Sequence, residues 1–352
     1  MAGKAELDAA YDSYKELFIA GQYAEALPYA MEAVELGEAE FGPQHPNYAI
    51  FLSNLAAVLR ELGEYKTSET LFLRAYFIDA EAYGLKHPSI VTDLNNLASV
   101  YVAQDDFGGA EYLFRKSLEI ADEVLDPDDT RIATTLSNLT QPLEQQDKLD
   151  EIEPLLKRAI SIRRSAYGPD HPQVVQLENS LAKHYFRVKE YDAAERLFLR
   201  ILRVRESHLG PTHPDVAEAL NSLGSLHYQR KSYDDAERLF LRVIAIREEV
   251  LGADHPRLST TVSNLATVYF DQKRYEEAEP LFRRAVQIRE DAYGPDDPAL
   301  ADSLIMLSSF LSLTGREVEA QTVYARAAVI LENAKDTPSL RRDRPPPLFR
   351  SD

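Results

Sequence analysis

Five histidines of this chain each precede a proline, and histidine is a common metal ligand. The His-Pro pairs begin at His45, His87, His171, His213 and His255, so successive pairs are 42 or 84 residues apart. If each period forms a helix pair, neighbouring histidines lie about 10 Å apart. A zinc ion needs its ligands at about 2 Å. We therefore predict no metal site and interpret each histidine as the polar end of a loop before a proline-initiated helix.

Other residue types that carry catalysis show no recognisable arrangement. The chain has no cysteine, which excludes disulfides and thiolate metal sites. It contains no phosphate-binding loop, no nucleophile elbow and no HExxH zinc motif. Its carboxylates are spread along predicted helices, where Asp and Glu usually form a solvated face. We therefore predict that the protein is not an enzyme and needs no cofactor.

The 42-residue period defines the units that must position any functional side chain. The two missing His-Pro positions fall on Asp129-Thr130 and Asp297-Pro298. A shorter unit at 1–40 precedes seven full units, and a basic, proline-rich tail at 335–352, which we expect to be disordered, follows them. The full units are 41–82, 83–124, 125–166, 167–208, 209–250, 251–292 and 293–334.

Each unit has the spacing of two amphipathic helices. In the unit 83–124, Pro88 suits a first helical turn, and apolar residues then recur at i, i+3, i+4 and i+7 from Leu94 to Tyr101. A second helix repeats this spacing around Ala110 and Phe114. Small and aromatic residues recur at fixed positions in the other units, which favours close helix packing. The sequence therefore predicts an all-α protein of stacked helical hairpins.

This pattern resembles the tetratricopeptide repeat (TPR). The run Leu-Asn-Ser-Leu-Gly from Leu220, followed by Tyr233, Ala236 and Phe240, has the family's order of large, small and aromatic residues. The 42-residue length and the Gly-Pro-x-His-Pro start are similar to the kinesin-light-chain subtype, although no heptad coiled coil precedes the repeats. The resemblance implies a right-handed superhelical α-solenoid of about eight TPR helix-turn-helix repeats that serves as a scaffold or adaptor for protein binding.

The resemblance also implies a peptide-binding groove lined by the first helix of each unit. Asparagine suits such a groove because its amide both donates and accepts hydrogen bonds. The basic residues placed along the groove are Arg60, Lys183 and Arg187, and they could hold an acidic group of the partner. The alternative is that the asparagines cap or bridge neighbouring helices. The candidate groove residues are Asn54, Asn96, Ser99, Asn138, Lys183, Arg187, Gln229 and Asn264.

The charge of the chain bears on its partners. The formal net charge is −19, and residues 1–166 hold 14 basic against 29 acidic residues. Such acidity argues against nucleic acid, which requires clustered basic residues. No apolar stretch reaches the roughly 20 residues of a membrane span, and the N-terminus lacks the form of a secretory signal. We expect a cytoplasmic protein that binds a protein or peptide, as a monomer or weak homo-oligomer; a self-assembling scaffold and a peptide-gated regulator are the alternatives.

Two units depart from the common pattern. Pro142 falls within the first helix of the unit 125–166, where proline removes a hydrogen bond. We predict a hinge at Pro142, with a kinked or shortened helix of low local stability. In the last unit Glu317 replaces the usual tyrosine, which favours a polar cap at the end of the array.

Overall fold

The computed structural model describes residues 2–335 of the chain. This range contains sixteen α-helices and one 3₁₀ turn, and no β-strand. The predicted all-α fold of about eight helical hairpins is therefore confirmed, whereas the tail beyond Lys335 lies outside the described residues. The helices are α1 (Ala2–Ile19), α2 (Tyr23–Phe41), α3 (Pro46–Glu61), α4 (Tyr65–Tyr83), α5 (Pro88–Ala103), α6 (Phe107–Val124), α7 (Thr130–Gln145), α8 (Ile152–Tyr167), α9 (Pro172–Arg187), α10 (Tyr191–Leu209), α11 (Pro214–Gln229), α12 (Tyr233–Leu251), α13 (Arg257–Asp271), α14 (Tyr275–Tyr293), α15 (Pro298–Leu313) and α16 (Glu317–Lys335).

The His-Pro pairs mark the starts of first helices, as their spacing predicts. In all five pairs the histidine Nδ1 accepts a hydrogen bond from the backbone N–H two residues later, at 3.1–3.3 Å. Asp129 and Asp297 occupy the two remaining positions, and their carboxylates accept the same bond at 2.8 Å. These side chains satisfy backbone donors that have no partner inside the helix. The structural interpretation of the histidines is thus confirmed.

Complementary sizes hold the hairpins together. The second-helix aromatics Phe72, Phe114, Phe198, Phe240 and Phe282 are all buried. A small residue of the first helix faces them: a Cβ added to Gly224 would lie 2.7 Å from Cε1 of Phe240. Contacts this close leave no room for a larger side chain, so the small residues set the distance between the paired helices.

Ion pairs join successive second helices at a spacing of 36 residues. The N–O distances lie between 2.5 and 3.7 Å, and the side chains are partly exposed. Pairs this exposed are worth well under about 1 kcal/mol each, so they fix the register of the stack more than they stabilise it. The pairs are Arg74–Glu38, Arg158–Asp122, Arg242–Glu206, Arg284–Glu248 and Arg326–Glu290.

The chain divides into two compact units, one ending at Val188 and the other beginning at Lys189. Within each unit every helix packs against the next along the chain. First helices also contact each other. In the first unit α3 contacts α5 and α5 contacts α7, and in the second unit α11 contacts α13 and α13 contacts α15. Each unit therefore presents a continuous row of first helices.

The unit 125–166 differs from its prediction in which of its two helices is short. Helix α7 contains Pro142 yet spans sixteen residues, the same length as α5 and α9. Of the two expected alternatives, the shortened helix is therefore wrong, and the kink stays a prediction. Pro142 lies in the last turns of α7, and its missing N–H removes one helical hydrogen bond, to the carbonyl of Asn138, without ending the helix. The shortening falls on α8 instead, whose usual opening is replaced by the 3₁₀ turn Leu149–Glu151. The role of Pro142 as a hinge stays a prediction.

The end of the second unit is less polar than expected. Glu317 begins α16 as the polar residue predicted there, but Val318, Tyr324 and Val329 on the same helix are exposed. A polar cap was inferred from one position, whereas the exposed face of a helix is set by residues over several turns. The exposed side of α16 is mixed, since Gln321, Thr322 and Glu332 are exposed as well, and the polar cap stays a prediction.

Candidate functional site

Three candidate asparagines lie on contacting helices of the first unit. Asn54 is on α3, Asn96 on α5 and Asn138 on α7. The first two are partly exposed and Asn138 is exposed. The Nδ2 atom of Asn54 is buried and finds no acceptor among the described residues. The row thus combines reachable amides with one unsatisfied donor.

Ser99 is already engaged within the protein. Its hydroxyl donates a 2.6 Å hydrogen bond to the carbonyl of Asn96 and accepts one from the guanidinium of Arg60. Arg60 also pairs with Glu61 at 2.6 Å. These bonds connect α3 to α5 and leave Ser99 and Arg60 less free to contact a partner. The sequence placed both residues at the groove but gave no sign that they bind each other.

The two basic candidates on α9 differ in their surroundings. The Nη2 atom of Arg187 lies 3.4 Å from the carbonyl oxygen of Glu144 on α7, and its Nη1 lies 3.9 Å from the Glu144 carboxylate. Lys183 is exposed, and among residues 2–335 no ion pair involves its ammonium. Lys183 is consequently the candidate basic residue whose charge is uncompensated by the protein itself.

The second unit holds the other two candidates. Gln229, at the end of α11, is partly exposed. Asn264 on α13 is only 4% exposed, and its buried Nδ2 has no acceptor in the described part of the chain. Next to Gln229, Tyr228 donates a 2.7 Å hydrogen bond to Asp271, and burial, together with this carboxylate, raises the pKa of Tyr228. Burial therefore separates Asn264 from the more accessible candidates.

Sequence reasoning missed a row of glutamates on the second helices. Glu111 accepts hydrogen bonds from Lys148 and Gln146, and Glu237 accepts from Arg274 and Tyr269 of the following hairpin. These bonds lower the pKa of Glu111 although its burial opposes them. The signal was available as a 42-residue recurrence of Glu at 69, 111, 153, 195, 237 and 279. The row joins neighbouring hairpins.

Among residues 2–335, no three His, Cys, Asp or Glu side chains come together in a group that could hold a metal ion. None of the helices in that range is both long and apolar enough for a membrane span.

Comparisons with known proteins point to one family. A profile described as tetratricopeptide repeat matches residues 17–81, 49–123, 90–164, 131–207, 173–249, 215–269 and 257–333. No curated protein matches the chain. Among solved structures, BtubC (BKLC) from P. vanneervenii has 25% sequence identity and a TM-score of 0.56, over 66% of this chain and 92% of its own.

Two structures with lower sequence identity also share the fold. A putative kinesin light chain from P. anserina, with nearly identical TPR-like repeats, has 19% identity over 59% of this chain and 98% of its own, with a TM-score of 0.54. The apo form of RapI has 14% identity over 96% of this chain and 99% of its own, with a TM-score of 0.66. Because the repeat profile matches nearly the whole of the described chain, the protein belongs to the tetratricopeptide repeat family, and its structural relatives include kinesin-light-chain-like repeat proteins.

Proposed function

We propose that the first helices of the first unit bind a peptide or helix of a partner protein, and that the chain serves as an adaptor. Tetratricopeptide repeats generally mediate protein–protein interaction and are generally non-enzymatic. The proposed site consists of Asn54, Asn96 and Asn138, with Lys183 beside them; we call it the asparagine face. The observation that carries the proposal is the repetition of a partly or fully exposed asparagine on three helices in contact.

The asparagine face matches the chemistry of a peptide backbone. Each amide can donate to a carbonyl and accept from an N–H, and the three amides recur once per hairpin. The Nδ2 atom of Asn54 has no acceptor in residues 2–335, and an unsatisfied buried donor costs roughly 1–3 kcal/mol. Because this donor is buried, a partner cannot reach it in the present rotamer, so the argument for binding rests on the partly exposed Asn96 and the exposed Asn138.

The charge of the site favours an acidic group in the partner. Arg187 is held by Glu144 and Arg60 by Glu61, so Lys183 is the basic residue best able to meet a carboxylate. An exposed charge of this kind adds modest affinity that salt screens. We therefore expect Lys183 to tune affinity and the asparagines to carry most of it.

The test uses a random peptide library displayed on phage and selected against the purified full-length chain. The affinity of selected peptides is then measured by fluorescence anisotropy for the natural chain and for the double variant Asn96→Ala/Asn138→Ala. Lost hydrogen bonds are worth about 0.5–1.5 kcal/mol each, so affinity should fall roughly tenfold. Lys183→Glu should weaken acidic peptides further, most strongly at low salt.

A matched control separates binding from folding. Asn47→Ala/Asn333→Ala removes two exposed asparagines outside the asparagine face and should leave affinity unchanged. Peptides that bind the double variant as tightly as the natural chain would refute the proposal. If Asn96→Ala/Asn138→Ala instead unfolds at a markedly lower temperature than the control, the asparagines bridge helices and the structural alternative holds.

A further inference from the structure

A surface of exposed arginines and leucines lies on two second helices of the second unit. Arg196, Leu199 and Arg203 are exposed on α10. Arg238 and Leu241 are exposed on α12, at the positions 42 residues after Arg196 and Leu199. At 100° per residue the three positions on α10 fall within about 60° of one another, so they share one side of the helix. We call these five residues the arginine–leucine face.

An ion pair holds the two helices of this face side by side. Arg242 of α12 pairs with Glu206 of α10 at 2.6 Å, and Arg242 directly follows Leu241 in the sequence. Leu199 and Leu241 occupy the same position of successive second helices, so helix packing places them roughly 10 Å apart. Both leucines are 46% exposed. The face is therefore one continuous surface with two apolar side chains at its centre.

The protein itself balances the charges of this face only in part. Among residues 2–335 no ion pair involves Arg196 or Arg203, and Arg238 has a single ion pair, with Asp235 at 2.7 Å. The side chains of that pair are 78% and 46% exposed, so the pair is weak and Arg238 can exchange its partner. Three guanidinium groups are thus open to an external carboxylate.

The acidic residues closest in sequence are already bound by other arginines. Glu195 is bound by Arg230 at 2.7 Å, and Glu206 forms the ion pair between the two helices. The segments 196–205 of α10 and 238–247 of α12 contain no Asp or Glu. The arginine–leucine face is therefore a locally positive surface on a chain whose formal charge is −19.

This contrast of charge indicates the class of molecule that fits the face. Nucleic acid or an anionic membrane would extend beyond the face and meet the acidic remainder of the chain, which repels it. A short acidic segment covers the face alone. The face consists of helix sides, whose backbone groups are paired within the helices, so it offers nothing to the backbone of an extended peptide. We propose that the arginine–leucine face binds an acidic amphipathic helix of a partner protein.

The spacing of the two leucines sets the pattern expected in that helix. A distance of roughly 10 Å along a helix corresponds to about seven residues at 1.5 Å each. Apolar side chains at i and i+7 of the partner would therefore each meet one leucine, and carboxylates beside them would meet Arg196 and Arg203. The asparagine face lies on first helices of the first unit, so the chain has a separate surface for each of two partners.

Fluorescence anisotropy with a labelled model peptide tests the proposal on the full-length chain. The peptide is a designed helix of about three heptads, with leucine at every seventh position, glutamates beside each leucine and alanine elsewhere. It should bind the natural chain, and Arg196→Glu/Arg203→Glu should weaken binding roughly tenfold and reduce its dependence on salt. The matched control is Arg257→Glu/Lys273→Glu, which reverses two exposed charges of the second unit outside the face and should bind like the natural chain.

A second variant separates the apolar contribution from the charges. Leu199→Gln/Leu241→Gln should weaken binding by a similar factor at every salt concentration, because an apolar contact is not screened. The proposal is overturned if the natural chain does not bind the peptide, if the arginine variant binds like the control, or if a peptide with lysine in place of glutamate binds equally well. Binding to vesicles of anionic phospholipid that the arginine variant loses would assign the face to a membrane and overturn the proposal as well.

A fluorescent label locates the bound peptide. The chain has no cysteine, so Ala245→Cys, which alters an exposed alanine one turn after Leu241, carries a single environment-sensitive dye. The peptide should change the emission of this dye but leave that of a dye at Ala253→Cys, in an exposed loop, unchanged. A peptide that binds without affecting the dye at residue 245 would place the site elsewhere and contradict the assignment.

Discussion

Asp79 on α4 and Asp93 on α5 form a buried pair of carboxylates in the first unit. Both side chains are more than nine-tenths buried, and each leaves one oxygen without a hydrogen-bond partner among the described residues. Burial, reinforced by the nearby charge of Asp79, raises the pKa of Asp93 to about 7. Burial also raises the pKa of Asp79, although Ser89 and His87 oppose that shift. An ionised Asp93 therefore costs the fold free energy.

The pair predicts a specific dependence of stability on pH. An aspartate in the unfolded chain has a pKa of about 3.9, so between about pH 4 and pH 7 only the folded state holds the Asp93 proton. Its contribution to stability is complete below pH 4 and is lost as the pH rises through 7. Asp93→Asn should therefore stabilise the protein at pH 8, by at least about 1 kcal/mol, and by much less at pH 5.

Urea unfolding of the natural chain and the variant at both pH values measures this difference. Asp254→Asn, which changes an exposed loop aspartate, serves as the control and should show no comparable gain at pH 8. A gain from Asp93→Asn that is equal at pH 5 and pH 8 would contradict the assigned cause.

Helix α7 contains a proline in its interior, where most helices do not accept one. Pro142 is buried within it and cannot donate to the carbonyl of Asn138. The following helix, α8, begins after a 3₁₀ turn in place of the longer start of its counterparts. Two adjoining elements therefore carry weakened backbone hydrogen bonding, which lowers the free energy of local opening.

Hydrogen exchange should detect this weakness. We expect amides of α7 to exchange faster than those of α5, whose equivalent position is Val100. Pro142→Val restores the missing donor and should slow exchange over residues 139–145, because proline costs a helix interior about 3 kcal/mol or more. The control is Pro88→Val on α5, where the proline is the first residue of the helix and its missing N–H has no acceptor within the helix, so little change is expected. Equal protection of the amides of α5 and α7 would contradict the predicted weakness at Pro142.

For the molecule as a whole, acidic residues outnumber basic ones by 58 to 39. The excess is concentrated in residues 1–166, and self-repulsion of this kind destabilises a compact state. The ion pairs between hairpins act in the opposite direction, but they are exposed and individually weak. Repulsion should therefore dominate the response to salt.

Thermal unfolding in increasing sodium chloride tests this balance. We expect Tm to rise by a few degrees between low and physiological salt, where screening shortens the electrostatic range to about 8 Å. Replacing the exposed Glu32, Glu35 and Glu40 of the first unit by Gln should raise Tm at low salt and reduce the salt effect. A Tm that falls with added salt would mean that the ion pairs outweigh the repulsion.

The sequence by itself determined the repeating elements of this protein. His45 caps α3 through the N–H two residues away, and Asp129 and Asp297 do the same for α7 and α15. Such bonds depend on neighbours along the chain, so their spacing predicts them. The packing of Gly224 against Phe240 likewise follows from small and large residues that recur at fixed positions of the paired helices. The all-α fold and the number of hairpins follow from these local rules.

Only the tertiary structure decided which side chains are free to act. Ser99 is bound by Arg60 across 39 residues and Arg187 by Glu144 across 43 residues, while Asn264 is buried although Asn138 in the same column is exposed. Partners this far apart in sequence meet only when helices stack at a particular angle and separation, and a few ångströms decide whether a hydrogen bond forms. For the same reason the exposure of Tyr324 follows from the absence of a covering helix in residues 2–335, because its own residue type and period match those of its buried counterparts.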